Sequence, residues 1–153
     1  MAYQVKRGRA VYEILELLDE NDHVAHSLQI CVDVDAVAKD ANRKILALNQ
    51  AQADMRAVQK EKDSGQEADL EKAQEALGRA VIALYETLMG KENTETILEF
   101  YQGRFLEMNM EITPFVLQVL VPRVRDAAKE LQQRMAYQYN RKAIRKSGIF
   151  RRK

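Results

Sequence analysis

From about residue 35 to residue 61 the chain carries no proline and no glycine, and Val37, Ala41, Ile45, Leu48, Met55 and Val58 recur along it at helical spacing, with polar Gln52 in the middle. Such a stripe predicts one amphipathic helix of roughly 40 Å at 1.5 Å per residue. A rod of that length must bury its stripe against a partner of similar length. The chain supplies one in Leu70, Ala73, Leu77, Val81, Leu84 and Leu88, a second stripe that ends at Met89-Gly90. Between the two lies KEKDSGQEAD, residues 60–69, where Ser64-Gly65 among charges reads as the turn of a helical hairpin. The Ala-rich faces permit close antiparallel packing, although neither arm keeps a strict heptad. Asp33 and Asp35 bracket the start of the first arm, where a carboxylate caps a helix.

Upstream, Val11, Ile14, Leu15 and Leu18 fit a helical period, whereas Val24, His26, Leu28, Ile30 and Val32 alternate with Ala25, Ser27, Gln29 and Cys31 as in a strand. DENDH, residues 19–23, suits a turn. A lone strand has no ladder partner, so a β-hairpin of 11–18 against 24–32 is expected rather than a helix followed by a strand.

Downstream, Gly90 stands where a left-handed helix end is wanted. Asn93 is the expected N-cap of the next helix, with Glu95 in its first turn and Ile97, Leu98, Tyr101, Phe105 and Met108 on its apolar face. Gly103 is expected to weaken or bend that helix. Thr113-Pro114 signals a restart. From Phe115 to Val121 only Gln118 is polar, so the segment is either central core, the commoner case, or a core face joined to an interaction face. Pro122 predicts a kink or fresh start. Val124, Ala127, Ala128, Leu131 and Met135 mark a last helix to about Lys146, stopped by Ser147-Gly148. The expected fold is predominantly α within an α+β plan: an N-terminal β-hairpin, a long antiparallel helical hairpin and a C-terminal helical bundle. Residues 1–146 form one domain, and 147–153 a basic flexible tail.

At 153 residues a single domain with a sizeable core is expected. No run approaches the roughly 20 apolar residues needed to span a bilayer, and MAYQVKRGRA is followed by no signal-peptide core. Cys31 is the only cysteine, which excludes an internal disulfide and fits a reducing cytoplasm; its expected role is a small buried apolar residue.

The residues that could carry catalysis fall in no catalytic pattern. His23 and His26, even with Asp22 and Cys31 added, match no zinc spacing and read as exposed turn histidines. Asp33 and Asp35 lack the glycine and closing glutamate of a calcium loop. The six glycines form no phosphate-binding loop, and Ser27, Ser64 and Ser147 lie in no nucleophile context. Carboxylate pairs such as Glu71 with Glu75 and Glu95 with Glu99 sit at helix-surface spacing. No enzyme, metal, cofactor or small-molecule substrate is expected.

The net charge of +1 hides a split. Residues 131–153 carry eight Lys or Arg and no acid, whereas residues 1–130 carry 16 bases against 23 acids, a net of −7. Arg141, Lys142, Arg145, Lys146, Arg151, Arg152 and Lys153, with Tyr137, Tyr139 and Phe150 among them, admit three readings: phosphate and base contacts, a solvated end complementing its helix dipole, or docking on an acidic protein surface, including that of another copy. No nucleic-acid-binding motif supports the first.

The run MGKENTETILEFYQGRFLEMNMEITPFVLQVLVPRV, residues 89–124, resembles the C-terminal half of small tail-assembly chaperones from siphophages and prophages of Gram-positive bacteria. It shares a helix ending in glycine, an acidic-Asn turn, ILEFY, an acidic-Met segment, a Pro-Phe pair and a Val-Pro. The resemblance covers about 120 residues as architecture and about 35 as sequence pattern. It implies a non-enzymatic protein of the bacterial host cytoplasm that binds the tape-measure or another tail protein, keeps it soluble, and self-associates as a homo-oligomer. Contact would fall on Phe115, Leu117, Val119 and Val121, with Tyr101 and Phe105 as neighbours, at least half of these also being core. No ligand residues transfer. The alternatives are a nucleic-acid-binding accessory protein using the basic helix, or a helical scaffold that only self-assembles.

Overall fold

In the computed structural model, which describes residues 2–4, 10–60 and 67–151 (without the side chains of 67 and 141–151), the chain opens with the expected hairpin. Strand β1 (Val11–Leu18) pairs antiparallel with β2 (Val24–Val32), from Val11 opposite Val32 to Leu17 opposite His26. A one-residue irregularity then brings Leu18 opposite Val24. Asp19 builds the turn. Its carboxylate accepts the Asn21 and His23 amides at 2.9 and 3.0 Å, its own amide donates to the His23 carbonyl at 2.8 Å, and Asp22 takes the left-handed conformation at φ 62°. Val11, Leu17, Leu28, Ile30 and Val32 are buried on one face. Cys31 is exposed on the other, beside Tyr12, and is not the buried residue expected. The cause is parity: the alternation that turns Ile30 and Val32 inward turns Cys31 outward with Gln29. His26 is likewise a strand residue rather than a turn residue, edge-on to Phe100 at 6.1 Å.

Helices α1 (Val34–Lys60) and α2 (Glu67–Met89) form the helical hairpin. Of the connection expected over residues 60–69, Lys60 still belongs to α1 and residues 67–69 already to α2, a shorter turn than predicted, and 61–66 lie outside the described residues. The Asp33 carbonyl accepts the Val37 amide at 3.1 Å, and Asp35 occupies the first turn of α1. Ala41 and Leu48 of the predicted α1 stripe are buried, as are Ala73, Val81, Leu84 and Leu88 of α2. Val37, Ile45 and Leu77 are half-buried against the core, and Met55, Val58 and Leu70, nearer the hairpin tip, are half-buried outside it. Helix α2 also touches β2 and every helical segment from Lys91 to Leu120, which makes it the central rod.

Helix α3 (Lys91–Tyr101) starts from Gly90, at φ 88°, rather than from Asn93. The Asn93 amide donates instead to the Met89 carbonyl at 2.9 Å and to the Gln29 carbonyl at 3.1 Å, tying α3 to the free edge of β2. The helix expected to continue through Gly103 ends before it. Gln102 and Gly103 are both left-handed, at φ 50° and 83°, and the Gln102 amide closes on the Leu98 and Glu99 carbonyls.

Helix α4 (Phe105–Phe115) then runs straight through Thr113-Pro114. The restart does not occur because the Thr113 hydroxyl is held by side chains, Tyr85 and Asn109, and caps no backbone amide. Pro114 and Pro122 each remove an amide and crowd the carbonyl four residues back. Between them the helix widens into a π turn (Val116–Leu120), with the Val121 amide reaching the Val116 carbonyl five residues back. The wider turn gives the Pro122 ring room without leaving helical geometry. Helix α5 (Val121–Arg151) continues past Ser147-Gly148, where the sequence pattern predicted a stop and a flexible tail. Glycine inside a helix costs only about 1 kcal/mol against alanine, so it does not compel an end. Arg123 of α5 donates to the Tyr12 carbonyl at 3.0 Å and pairs with Glu13, covering part of the free edge of β1.

Candidate partner surface

The segment 105–121 lies against α2, and its buried line is Met108, Ile112, Val116 and Leu120, at 0–3 % exposure. These recur every four residues, so they form the inward face. Val121, expected as a contact residue, is also buried at 4 % and belongs to the core. Tyr101, Phe105, Phe115, Leu117 and Val119 are half-buried; all but Val119 pack against the core. The Phe105 ring lies over Gly78, close enough that a methyl there would touch it at 3.8 Å. The apolar run is thus half core, in Val116, Leu120 and Val121, and half a partly buried rim, in Phe115, Leu117 and Val119.

The outward arc of α4 divides lengthwise. Leu106 and Met110, four residues apart, are 75 % and 74 % exposed, and exposed Pro114 and half-buried Leu117 continue their line. Glu107 and Glu111, one position round, form a parallel acidic line. Leu106 and Met110 were not among the residues expected from the sequence. Their signal is the offset of two from Met108 and Ile112, which places them opposite the core line, but it becomes legible only once the end of α3 at Gln102 fixes the helical phase.

Beside the acidic line a groove of about 630 Å³ opens between the end of β1 and the α3–α4 corner. Leu15, Phe100, Tyr101 and Ile112 give it an apolar lining, and Glu16, Asp19, Glu20, Glu107 and Glu111 bring five carboxylates against one arginine, Arg104. Arg104 is drawn to Glu107 at 3.7 Å in an exposed pair. The Tyr101 phenol is raised above its ordinary range by burial first, and then by the Glu111 and Glu107 carboxylates.

The basic end of α5 lies apart from this packing. Residues 131–140 are all exposed, and Leu131, Met135 and Tyr139, at 40, 55 and 72 %, share one helical face. The backbone of Arg141, Lys142, Arg145, Lys146 and Arg151 continues the helix; Arg152 and Lys153 lie outside the described residues.

Among the described residues no group of three or more His, Cys, Asp or Glu is placed to hold a metal ion. No described helix is long and apolar enough to cross a membrane. Comparison with protein-family models, curated proteins and solved structures finds no match.

Proposed function

We propose that this protein is a non-enzymatic tail-assembly chaperone, or a closely related structural protein of tail morphogenesis, that works in the cytoplasm of a bacterial host. Its partner is the long helical tape-measure protein or another tail protein. The observation that carries this reading is the Leu106–Met110 pair, two large apolar side chains three-quarters exposed on a helix whose other face is fully packed. It falls inside the stretch, residues 89–124, whose pattern resembles that family. An apolar stripe on a rigid helix suits another amphipathic helix, which lays its own apolar face along it. Each such side chain taken out of water contributes about 1.5–3 kcal/mol, enough to hold an aggregation-prone helix transiently but not to trap it. The contact is placed on Leu106, Met110, Pro114 and Leu117, with Tyr101 and Phe105 at its margin.

The test is co-expression with helical segments of a tape-measure protein. The wild-type chain should keep such a segment in the soluble fraction. Leu106→Glu with Met110→Glu should lose it while circular dichroism and thermal unfolding stay as in the wild type. A wild type that leaves the segment insoluble, or a double variant as protective as the wild type, would sink the proposal.

A further inference from the structure

Helix α5 leaves the body as an unsupported rod. Residues 131–140 are exposed on every side, yet the helix runs on to Arg151. Isolated helices are marginal in water, and a helix with an apolar stripe open to solvent is one that lacks its partner. That stripe, Leu131, Met135 and Tyr139, is set in a segment with eight bases and no acid.

The same chain offers the complementary surface. The groove at the α3–α4 corner has an apolar floor and a rim of five carboxylates, and it lies in a body with a net charge of −7. We infer that the basic end of α5 from one copy of this chain docks in the acidic groove beside Glu107 and Glu111 of a second copy. Apolar contact with Phe100 and Tyr101 would give the docked helix its depth, and the carboxylate rim its orientation. Within one copy α5 is a continuous helix that leaves from the core at Val124, so the occupant comes from another molecule. The contact joins two different surfaces, so it closes as a reciprocal pair or a ring, or runs on as a filament where the rotation does not close.

Two full-length variants test the contact by light scattering after size exclusion, with circular dichroism to confirm the helical fold. One carries Glu107→Lys and Glu111→Lys, both at exposed positions; the other carries Arg134→Glu, Arg141→Glu and Arg145→Glu. The wild type should assemble at low salt and dissociate in 1 M salt, where the Debye length is about 3 Å. Each variant alone should run as a monomer. An equimolar mixture of the two should reassemble, because each reversed surface then meets its reversed partner. A monomeric wild type at low salt, variants that keep the wild-type mass, or a mixture that stays monomeric would overturn the inference. So would tail-dependent co-purification of nucleic acid with the monomer. Leu106 and Met110 are untouched in both variants, so failure here is distinct from failure of the chaperone reading.

Discussion

The hydroxyl of Tyr85, on α2, lies 2.6 Å from Thr113 Oγ1, on α4, and the direction of that bond is settled by a third residue. Thr113 Oγ1 donates its only proton to Asn109 Oδ1, also at 2.6 Å, so it can only accept from Tyr85. Tyr85 is fully buried and Thr113 nearly so, which makes this relay the polar pin of an otherwise apolar helix contact.

Unequal costs follow from that direction. Thr113→Val leaves the Tyr85 donor buried without an acceptor and should cost about 1–3 kcal/mol; Tyr85→Phe removes the donor and leaves only a spare lone pair, costing nearer 1 kcal/mol. Urea unfolding of both variants measures the difference. A Tyr85→Phe change clearly the more damaging would reverse the assigned direction.

The pH dependence has a definite sign. Burial pushes the Tyr85 phenol up to about 12 from 10.0. The folded state therefore holds its proton where the unfolded chain has lost it. The contribution is complete below about pH 10 and falls away as pH rises from there toward 12, by up to about 1.4 kcal/mol per unit. Stability of the wild type measured between pH 9 and 11.5 should fall more steeply than that of Tyr85→Phe. Parallel curves would show that the phenol ionises as freely in the fold as outside it.

Two glycines should respond in opposite directions to alanine. Gly103 sits at φ 83° with open space around it, so a methyl meets nothing but imposes a left-handed backbone cost of about 1–2 kcal/mol. Gly78 is within α2, and its added methyl would rest on the Phe105 ring at 3.8 Å, an ordinary contact. Gly78→Ala should stabilise by about 0.5–1 kcal/mol. Thermal unfolding of the pair should move the midpoint in opposite senses; movement in the same sense would contradict the account.

Period and punctuation made most of the fold readable. The hairpin matches its predicted limits, α1 matches its own to within a residue and α2 ends at Met89 as predicted, though it starts at Glu67 inside the stretch read as a turn; long stripes and a five-residue polar turn leave few alternatives. What failed were local signals that the tertiary structure put to other uses. Asn93 looks like a cap, but its amide reaches the β2 edge, a contact 64 positions away in sequence. Thr113-Pro114 looks like a start, but the hydroxyl answers Tyr85 on another helix. The candidate surface was legible only in its neighbourhood. An apolar run announces burial, and Val121 was claimed by the core, whereas exposed Leu106 and Met110 are separated from buried Met108 only by helical phase.

The π turn at Val116–Leu120 has a directional consequence for the far end of the molecule. One residue more or less in a helix rotates everything beyond it by about 100°. That turn accordingly works as an index mark, setting the azimuth of α5 about its own axis. Removing Gln118 together with the wider turn would leave the rod and its azimuth nearly unchanged, whereas straightening the turn at constant length would swing the basic end round by about 100°.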